Sequence, residues 1–235
     1  MHISDKSKKR LLVLAGIATL MLVLDMTVDH KHLFWRSLDP NQAAGAATYV
    51  RLLSLNARPE SHCQSLLGAT QNIEFIHAEA HRTNEHCGWD TAVRLKRSND
   101  VFVSGKGIKL RCPMTIAIHL WIRDMNDIAN DVYGATLRSV SHAGSYSCRR
   151  VNHSKNGAWS QHAYANAWDI LGFTLNNGQS ISVLKDWGSN TQAGDFLRQA
   201  RDSACGIFGV VLGPEYNAAH RDHFHVDMGF GDACS

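Results

Sequence analysis

The sequence lacks the signatures of several common enzyme classes and of nucleic-acid-binding proteins. It has no Gly-x-Ser-x-Gly motif, no Walker loop and no dinucleotide-binding fingerprint. Its net charge is only +3, and four of its basic residues fall within the first ten positions, which leaves no basic stripe that would bind nucleic acid. Internal repeats and low-complexity tracts are also missing. With 44% hydrophobic and 19% charged residues, the composition instead indicates one folded domain with an N-terminal extension.

Cysteine occurs six times, but never in the C-x-x-C pair that is typical of thiolate zinc sites. All six cysteines follow an apolar N-terminal segment: Cys63, Cys87, Cys112, Cys148, Cys205 and Cys234. An even number of cysteines in an exported chain predicts three disulfides. Six cysteines allow fifteen sets of pairs, and the sequence does not choose among them. None of the six lies in the context of a catalytic nucleophile.

The N-terminal segment is first basic and then apolar, and we predict the compartment of the protein from it. Residues 1–10 form a basic tail, and the apolar run at residues 11–24 is shorter than the roughly 20 residues of a typical spanning helix. Such a run fits a signal peptide, but no small-x-small cleavage site follows it. We favour an uncleaved signal-anchor at residues 11–28 in a bacterial inner membrane, with the tail in the cytoplasm and the remaining chain in the periplasm. Cleavage, which would leave a soluble periplasmic protein, stays open as the alternative.

Residues 29–60 are expected to be a linker with a helical stretch at 43–55, and residues 61–235 to form one domain. Helices are predicted at 113–128 and 191–204. Strands are predicted at 92–95, 101–103, within 132–150, and at 166–175, 181–184, 209–212 and 224–228. Helices and hairpin-forming strands in mixed order predict an α+β fold, with a small, mostly antiparallel sheet, flanking helices and one preceding membrane helix.

Two polar segments carry residues that can bind a metal. The first contains His162 and Asp169 in a His-x6-Asp spacing, and the second contains His223 and His225 in a His-x-His spacing. Two histidines and one carboxylate match the ligands of a catalytic zinc, which keeps a fourth tetrahedral position for water. Residues two apart on a strand face the same side, so His223 and His225 are expected in one cleft. One of them can bind the metal while the other contacts the substrate.

These two segments resemble the LAS group of metallopeptidases, which includes lysostaphin-type enzymes, D-Ala-D-Ala peptidases and the penicillin-insensitive murein endopeptidase. Within that group, the chain from about residue 60 onward is similar to the bacterial extensin-like C-terminal domain family. The features that carry the likeness are Cys148-Arg149, Ser160-x-His162, Asn166-Ala167-x-Asp169, Leu212-Gly213-Pro214, Asn217-Ala218-Ala219-His220, Asp222-His223-Phe224-His225-Val226 and Cys234. The resemblance implies a LAS-type fold and zinc-dependent hydrolysis of peptide bonds in peptidoglycan.

The resemblance also implies a role for each matching residue. The implied zinc ligands are His162, Asp169 and His225, the implied catalytic residues are His223, Asp222 and His220, and the candidate substrate-binding residues are Arg149 and Ser160. His223 matches a residue that stabilises the oxyanion or shuttles a proton, and Asp222 lies where related dipeptidases carry an acidic base. Arg149 can hold a substrate carboxylate or carbonyl. Ser160 has an alternative role, in which it fixes its own loop by a hydrogen bond and does not contact the substrate.

Two departures from the family pattern leave a second function open. Ala165 stands where glycine is usual, and Trp168 occupies a position that is often aliphatic. A methyl group at residue 165 is expected to tighten the loop between the ligands. The second hypothesis is therefore a zinc-stabilised module that binds the cell wall or a partner, with weak or no catalysis. Among the remaining histidines, His77 and His81 are four residues apart and are interpreted as a solvated helical face.

Overall fold

The structure, a computed structural model, describes residues 4–235. Its α-helices are α1 (Asp5–Thr27), α2 (Thr48–Leu55), α3 (Glu60–Gly68), α4 (Cys112–Tyr133), α5 (Val183–Asp186) and α6 (Gln192–Cys205). Its strands are β1 (Ile73–Ala78), β2 (His81–Asn84), β3 (Cys87–Trp89), β4 (Ala92–Ser98), β5 (Val101–Val103), β6 (Ile108–Leu110), β7 (Leu137–Gly144), β8 (Ala167–Leu175), β9 (Ser180–Ser182), β10 (Val210–Leu212) and β11 (Phe224–Asp227).

A mixed sheet of nine strands organises these elements. Its strands follow the order β1-β4-β5-β7-β8-β11-β10, with β6 also paired to β4 and β9 to β8, while β2 and β3 form a separate hairpin. Within residues 4–235, β5 and β7 form the one parallel pair, and the other pairs are antiparallel. The predicted α+β class is therefore confirmed.

Helix α4 is the centre of the hydrophobic core because apolar side chains cover most of its surface. Pro113 lies in the first turn of α4, where a backbone N–H would have no partner within the helix, so proline costs no hydrogen bond there. Gly134 ends the helix in a left-handed conformation at φ 63°. The buried indole of Trp121 donates a hydrogen bond to the carbonyl of Ala200 in α6 (3.1 Å). The predicted helix at 113–128 is thus present, and it continues to Tyr133.

Residues 29–60, which were predicted as a linker, pack onto this core. Leu33 and Leu38 are buried. The guanidinium of Arg51 in α2 donates hydrogen bonds to the backbone carbonyls of His30 and Leu33. This buried side chain satisfies backbone groups that would otherwise need water. The segment is therefore part of the folded unit.

Two local predictions were wrong, the first because of a strand pairing between distant segments and the second because of a turn at the start of the helix. His77 and His81 do not share a helical face: they are exposed in β1 and β2, since residues 73–78 pair with β4. The helix predicted at 43–55 begins only at Thr48. The hydroxyl of Thr48 accepts a hydrogen bond from the backbone N–H of Gly45 (2.8 Å) at that boundary.

Helix α1 confirms the predicted N-terminal apolar helix. It is long and apolar enough to cross a membrane, as either an anchor or a signal sequence, and none of its residues is buried. Its last turn is joined to the segment that follows. Asp25 accepts a hydrogen bond from the indole of Trp35 (3.1 Å) and forms an ion pair with Arg36 (2.6 Å).

Three disulfides confirm the prediction from the cysteine count. Cys63–Cys112 joins α3 to α4, Cys87–Cys148 joins β3 to the segment after β7, and Cys205–Cys234 joins the end of α6 to the C-terminal segment. No cysteine among the described residues is free. The chain therefore has the covalent framework of a protein that folds in an oxidising compartment.

A buried histidine in α4 links the stability of this core to pH. His119 is fully buried, its Nε2 accepts a hydrogen bond from Arg123 (3.2 Å), and its Nδ1 lies 2.9 Å from the hydroxyl of Ser98. Because arginine can only donate, this arrangement requires a neutral ring. Burial and the neighbouring charge of Arg123 together lower the pKa of His119 from 6.5 to about 4.

We therefore predict that the fold loses stability as the pH falls from 6.5 to 4. The unfolded chain binds a proton at His119 in this window and the folded chain does not, so acid favours unfolding. The loss attributable to this residue is about 3 kcal/mol, from a difference in pKa of roughly two units or more. Urea unfolding of wild type and His119→Gln at several pH values measures it. The variant should show a flatter dependence, and identical slopes for the two proteins would contradict the prediction.

Candidate metal centre

Three predicted ligands converge where β8 pairs with β11. Asp169 in β8 pairs directly with His225 in β11, so their side chains project from the same face of the sheet. His162 comes from a 3-10 turn at Gln161–Tyr164, immediately before β8. That turn is capped by Ser160, whose hydroxyl accepts a hydrogen bond from the backbone N–H of His162 (3.3 Å). Two strands and one capped turn thus fix the three side chains.

The distances among the three ligand atoms fit one metal ion. His162 Nε2 lies 3.1 Å from Asp169 Oδ1 and 3.1 Å from His225 Nδ1, and His225 Nδ1 lies 2.9 Å from Asp169 Oδ1. Ligand atoms that bind zinc tetrahedrally at about 2.0–2.1 Å are separated by about 3.3 Å. Two nitrogens and one carboxylate oxygen also match the usual donors of a catalytic zinc and leave one coordination position for water.

Hydrogen bonds behind the two histidines point the other nitrogen of each ring toward this centre. His162 Nδ1 lies 3.2 Å from the carbonyl of Ser145, to which it can only donate, so Nε2 is the nitrogen that faces the other ligands. His225 is bound in the opposite sense, because its Nε2 lies 2.9 Å from Asp227 Oδ2 and its Nδ1 faces Asp169. Such partners fix the tautomer of a metal-binding histidine and raise its basicity.

Asp227 is a functional candidate that the sequence analysis missed. It is buried, and its second carboxylate oxygen accepts a hydrogen bond from the backbone N–H of Gly229 (2.7 Å). The signal that could have found it is the His-x-Asp spacing in β11, since residues two apart on a strand share a face. The carbonyl of Ser145 had no such signal, because a backbone group leaves no mark in the sequence.

The electrostatics of the centre favour an ionised carboxylate. Burial alone would raise the pKa of Asp169, but hydrogen bonds from His162 and His225 outweigh it and hold this pKa well below its usual range. Burial alone would likewise lower the pKa of His225, but hydrogen bonds to Asp169 and Asp227 raise it to about 9. Asp169 is therefore negatively charged at neutral pH, as a metal ligand must be.

The candidate catalytic residues lie beside the ligands. His223 Nε2 is 3.7 Å from Asp169 Oδ1, and His223 Nδ1 is 2.8 Å from Asp222 Oδ1. His220 lies in a 3-10 turn at Ala218–His220, and its ring centroid is 5.2 Å from that of His223 and 5.9 Å from that of His225. The structure thus brings all three predicted catalytic residues into one group, with Asp222 in direct contact with His223.

The two candidate substrate-binding residues differ in exposure. Arg149 is half-buried, and its charge is one of the causes that lower the pKa of His220 to about 4, after burial and the charges of His223 and His225. Arg149 therefore lies within electrostatic reach of the cleft. Ser160 is buried and caps the turn of His162. Its contact with the backbone supports the loop-fixing role, and its contact with a substrate stays a prediction.

The two departures from the family pattern leave the ligand geometry intact. Ala165 has φ 53° and ψ 37°, a left-handed conformation in which glycine is the least strained residue. Its side chain is buried in a small apolar cluster with Trp89 and Ala92, which accommodates the methyl group. Trp168 precedes Asp169 in β8, is fully buried, and packs edge-to-face against Trp121 in the core (6.4 Å between ring centroids).

Comparison with known proteins identifies one family. The family described as extensin-like protein C-terminus matches residues 61–235, which is well over half of the chain. No curated protein and no solved structure matches the sequence.

We predict that replacing a ligand removes the metal, whereas replacing Asp227 only weakens its binding. His162→Ala, Asp169→Ala and His225→Ala should each lose stoichiometric zinc, because two donors are too few for a stable site. Asp227→Ala should lower zinc affinity about 10–100-fold, because His225 loses the partner that fixes its tautomer. Metal analysis and chelator competition measure both effects, with the exposed Asp202→Ala as a control. Stoichiometric zinc in all three ligand variants, or wild-type affinity in Asp227→Ala, would contradict the assignment.

Proposed function

Because this chain belongs to the extensin-like C-terminal family, we propose that its domain is a zinc-dependent peptidase that cleaves peptide bonds of peptidoglycan. The observation that supports this proposal most is the convergence of His162, Asp169 and His225 beside the Asp222–His223 pair. A metal centre needs only the first three residues. A hydrogen-bonded carboxylate and histidine next to them suit proton transfer, which a purely structural zinc site does not require.

The proposed roles follow from the contacts of each side chain. A bound zinc ion would polarise the substrate carbonyl and lower the pKa of a bound water toward about 7. Asp222 accepts a hydrogen bond from Nδ1 of His223 and turns Nε2 toward the ligands, where we assign it to donate a hydrogen bond to the oxyanion or a proton to the leaving amine. Since Asp222 is engaged in this way, we assign acceptance of the water proton to the neighbouring His220.

The assignment to the LAS group and to a peptidoglycan substrate rests on sequence resemblance and charge. His162-x6-Asp169 and Asp222-His223-Phe224-His225 carry the likeness to murein-cleaving peptidases. Arg149 lies within electrostatic reach of His220 beside the ligands. Peptidoglycan stem peptides carry free carboxylates, and a cation next to the site favours such substrates.

We also propose that α1 remains attached as a membrane anchor. A cleaved signal peptide leaves no contacts in the mature protein, whereas Asp25 in the last turn of α1 binds both Trp35 and Arg36. The disulfides, together with this helix, favour a domain in the periplasm and an N-terminal tail in the cytoplasm.

We predict that His223→Ala keeps its zinc and loses at least about a hundredfold in turnover, because one transition-state donor is removed and no metal ligand is touched. Purified full chain is incubated with isolated murein, with and without chelator, and the released fragments are quantified. His77→Ala, at an exposed histidine in β1, is the matched control and should behave as wild type.

Two results would contradict this assignment. Wild-type turnover in His223→Ala would exclude a catalytic role for that residue. If wild type releases no fragments but the metal-loaded chain binds murein tightly, the domain is a zinc-stabilised binding module.

A separate prediction concerns the anchor. Intact-mass measurement of protein from native membranes should find the chain with residues 11–28 still attached, and carbonate washing should not release it. A mature N-terminus beyond Val28 would show that the segment is a cleaved signal, whatever the domain does.

A further inference from the structure

We propose that Asn217 is a positioning residue that holds His220 in the tautomer whose Nε2 carries a lone pair. The two side chains belong to one short segment, since Asn217 is the residue that caps the 3-10 turn at Ala218–His220. The catalytic consequence rests on the proposed function, whereas the tautomer is a property of the structure alone.

The orientation of the Asn217 amide follows from its contact with the backbone. One atom of the amide group lies 2.9 Å from the backbone nitrogen of Ala219. A backbone N–H can only donate, so this atom must be the oxygen Oδ1 and not the NH₂ group. The turn itself thereby excludes the flipped amide.

The same oxygen determines the protonation of the histidine ring. Asn217 Oδ1 lies 2.9 Å from Nδ1 of His220. An amide oxygen has no hydrogen to give, so the hydrogen of this bond must be on Nδ1. A neutral imidazole carries one N–H, and Nε2 is then left with its lone pair. Nε2 has no hydrogen-bond partner within the described residues, and the half-buried ring leaves it accessible to a substrate or to water.

His223 offers a direct contrast within the same cleft. Both rings donate from Nδ1, but His223 donates to the carboxylate of Asp222 and His220 donates to a neutral amide. The two ring centroids lie 5.2 Å apart. Nε2 of His223 lies 3.7 Å from the ligand Asp169, whereas Nε2 of His220 has no hydrogen-bond partner within the described residues. His220 is therefore the ring whose Nε2 is positioned to accept a proton.

This division deepens the proposed reaction. A hydrolytic step needs one group that takes a proton from water and another that gives a proton to the leaving amine. By fixing the hydrogen of His220 on Nδ1, the Asn217 amide keeps one acceptor nitrogen available beside the ligands.

The test reads the tautomer directly and does not depend on activity. Full chain is labelled with ¹⁵N-histidine, loaded with zinc in detergent micelles, and measured by long-range ¹H–¹⁵N correlation at neutral pH. His220 is assigned from the signals that disappear in His220→Gln. We expect a protonated Nδ1 and an unprotonated Nε2 in wild type. A protonated Nε2 with a bare Nδ1 would overturn the proposal.

Two variants connect the tautomer to Asn217. Asn217→Ala removes the acceptor, and we expect a mixture of both tautomers, with turnover of murein fragments lowered about tenfold and zinc content unchanged. Asn217→Asp keeps an oxygen that can accept from both Ala219 and Nδ1 of His220, so we expect it to preserve the turn and the wild-type tautomer. Wild-type ring signals in Asn217→Ala would show that Asn217 does not position His220.

These outcomes separate the inference from the proposed function. If wild type has no turnover on murein while the ring signals change as expected, the positioning role stands and the peptidase proposal fails. If turnover is present but the ring signals of Asn217→Ala match wild type, the peptidase proposal stands and the role of Asn217 is wrong.

Discussion

The antiparallel pairing of β8 with β11 is the contact on which the candidate site depends. It sets Asp169 opposite His225 and, through the two-residue repeat of a strand, places Asp227 behind the ligand histidine. A shift of one residue in this register would turn Asp169 away from its partner and bury it against the core. The core prevents such a shift because Trp168 and Phe224 alternate with the ligands and are fully buried on the opposite face.

The polar groups around the ligands are arranged so that each histidine ring has a defined hydrogen-bond partner on one of its nitrogens. The four histidines of the cleft are His162, His220, His223 and His225, and their partners are a carbonyl, an amide, and two carboxylates respectively. Because the partner determines which nitrogen holds hydrogen, chemically identical side chains acquire different properties. A cleft that is rich in one residue type can in this way supply both metal ligands and proton-transfer groups.

Much of the fold was predictable from local signals, whereas contacts between distant segments were not. Pro113 marked the start of α4, and the apolar run in β8 was recognised as a strand. The two ligand motifs named residues that the structure brings together. The roles of Asp227 and the Ser145 carbonyl were missed because they depend on strand register and on a backbone group. The disulfide pairs and the packing of residues 29–60 are also tertiary properties, which neither spacing nor propensity encodes.

The Cys205–Cys234 disulfide has a consequence for the durability of the site. It closes a covalent ring that contains β10, β11 and the exposed stretch around Tyr216, and therefore every site residue from Asn217 to Asp227. A single cut by a protease in that exposed stretch would open the backbone without releasing either piece. The halves would stay joined at the sulfur bridge and held in register by the sheet. The exposed loop beside the site can therefore be cut once without separating the site residues from the rest of the domain.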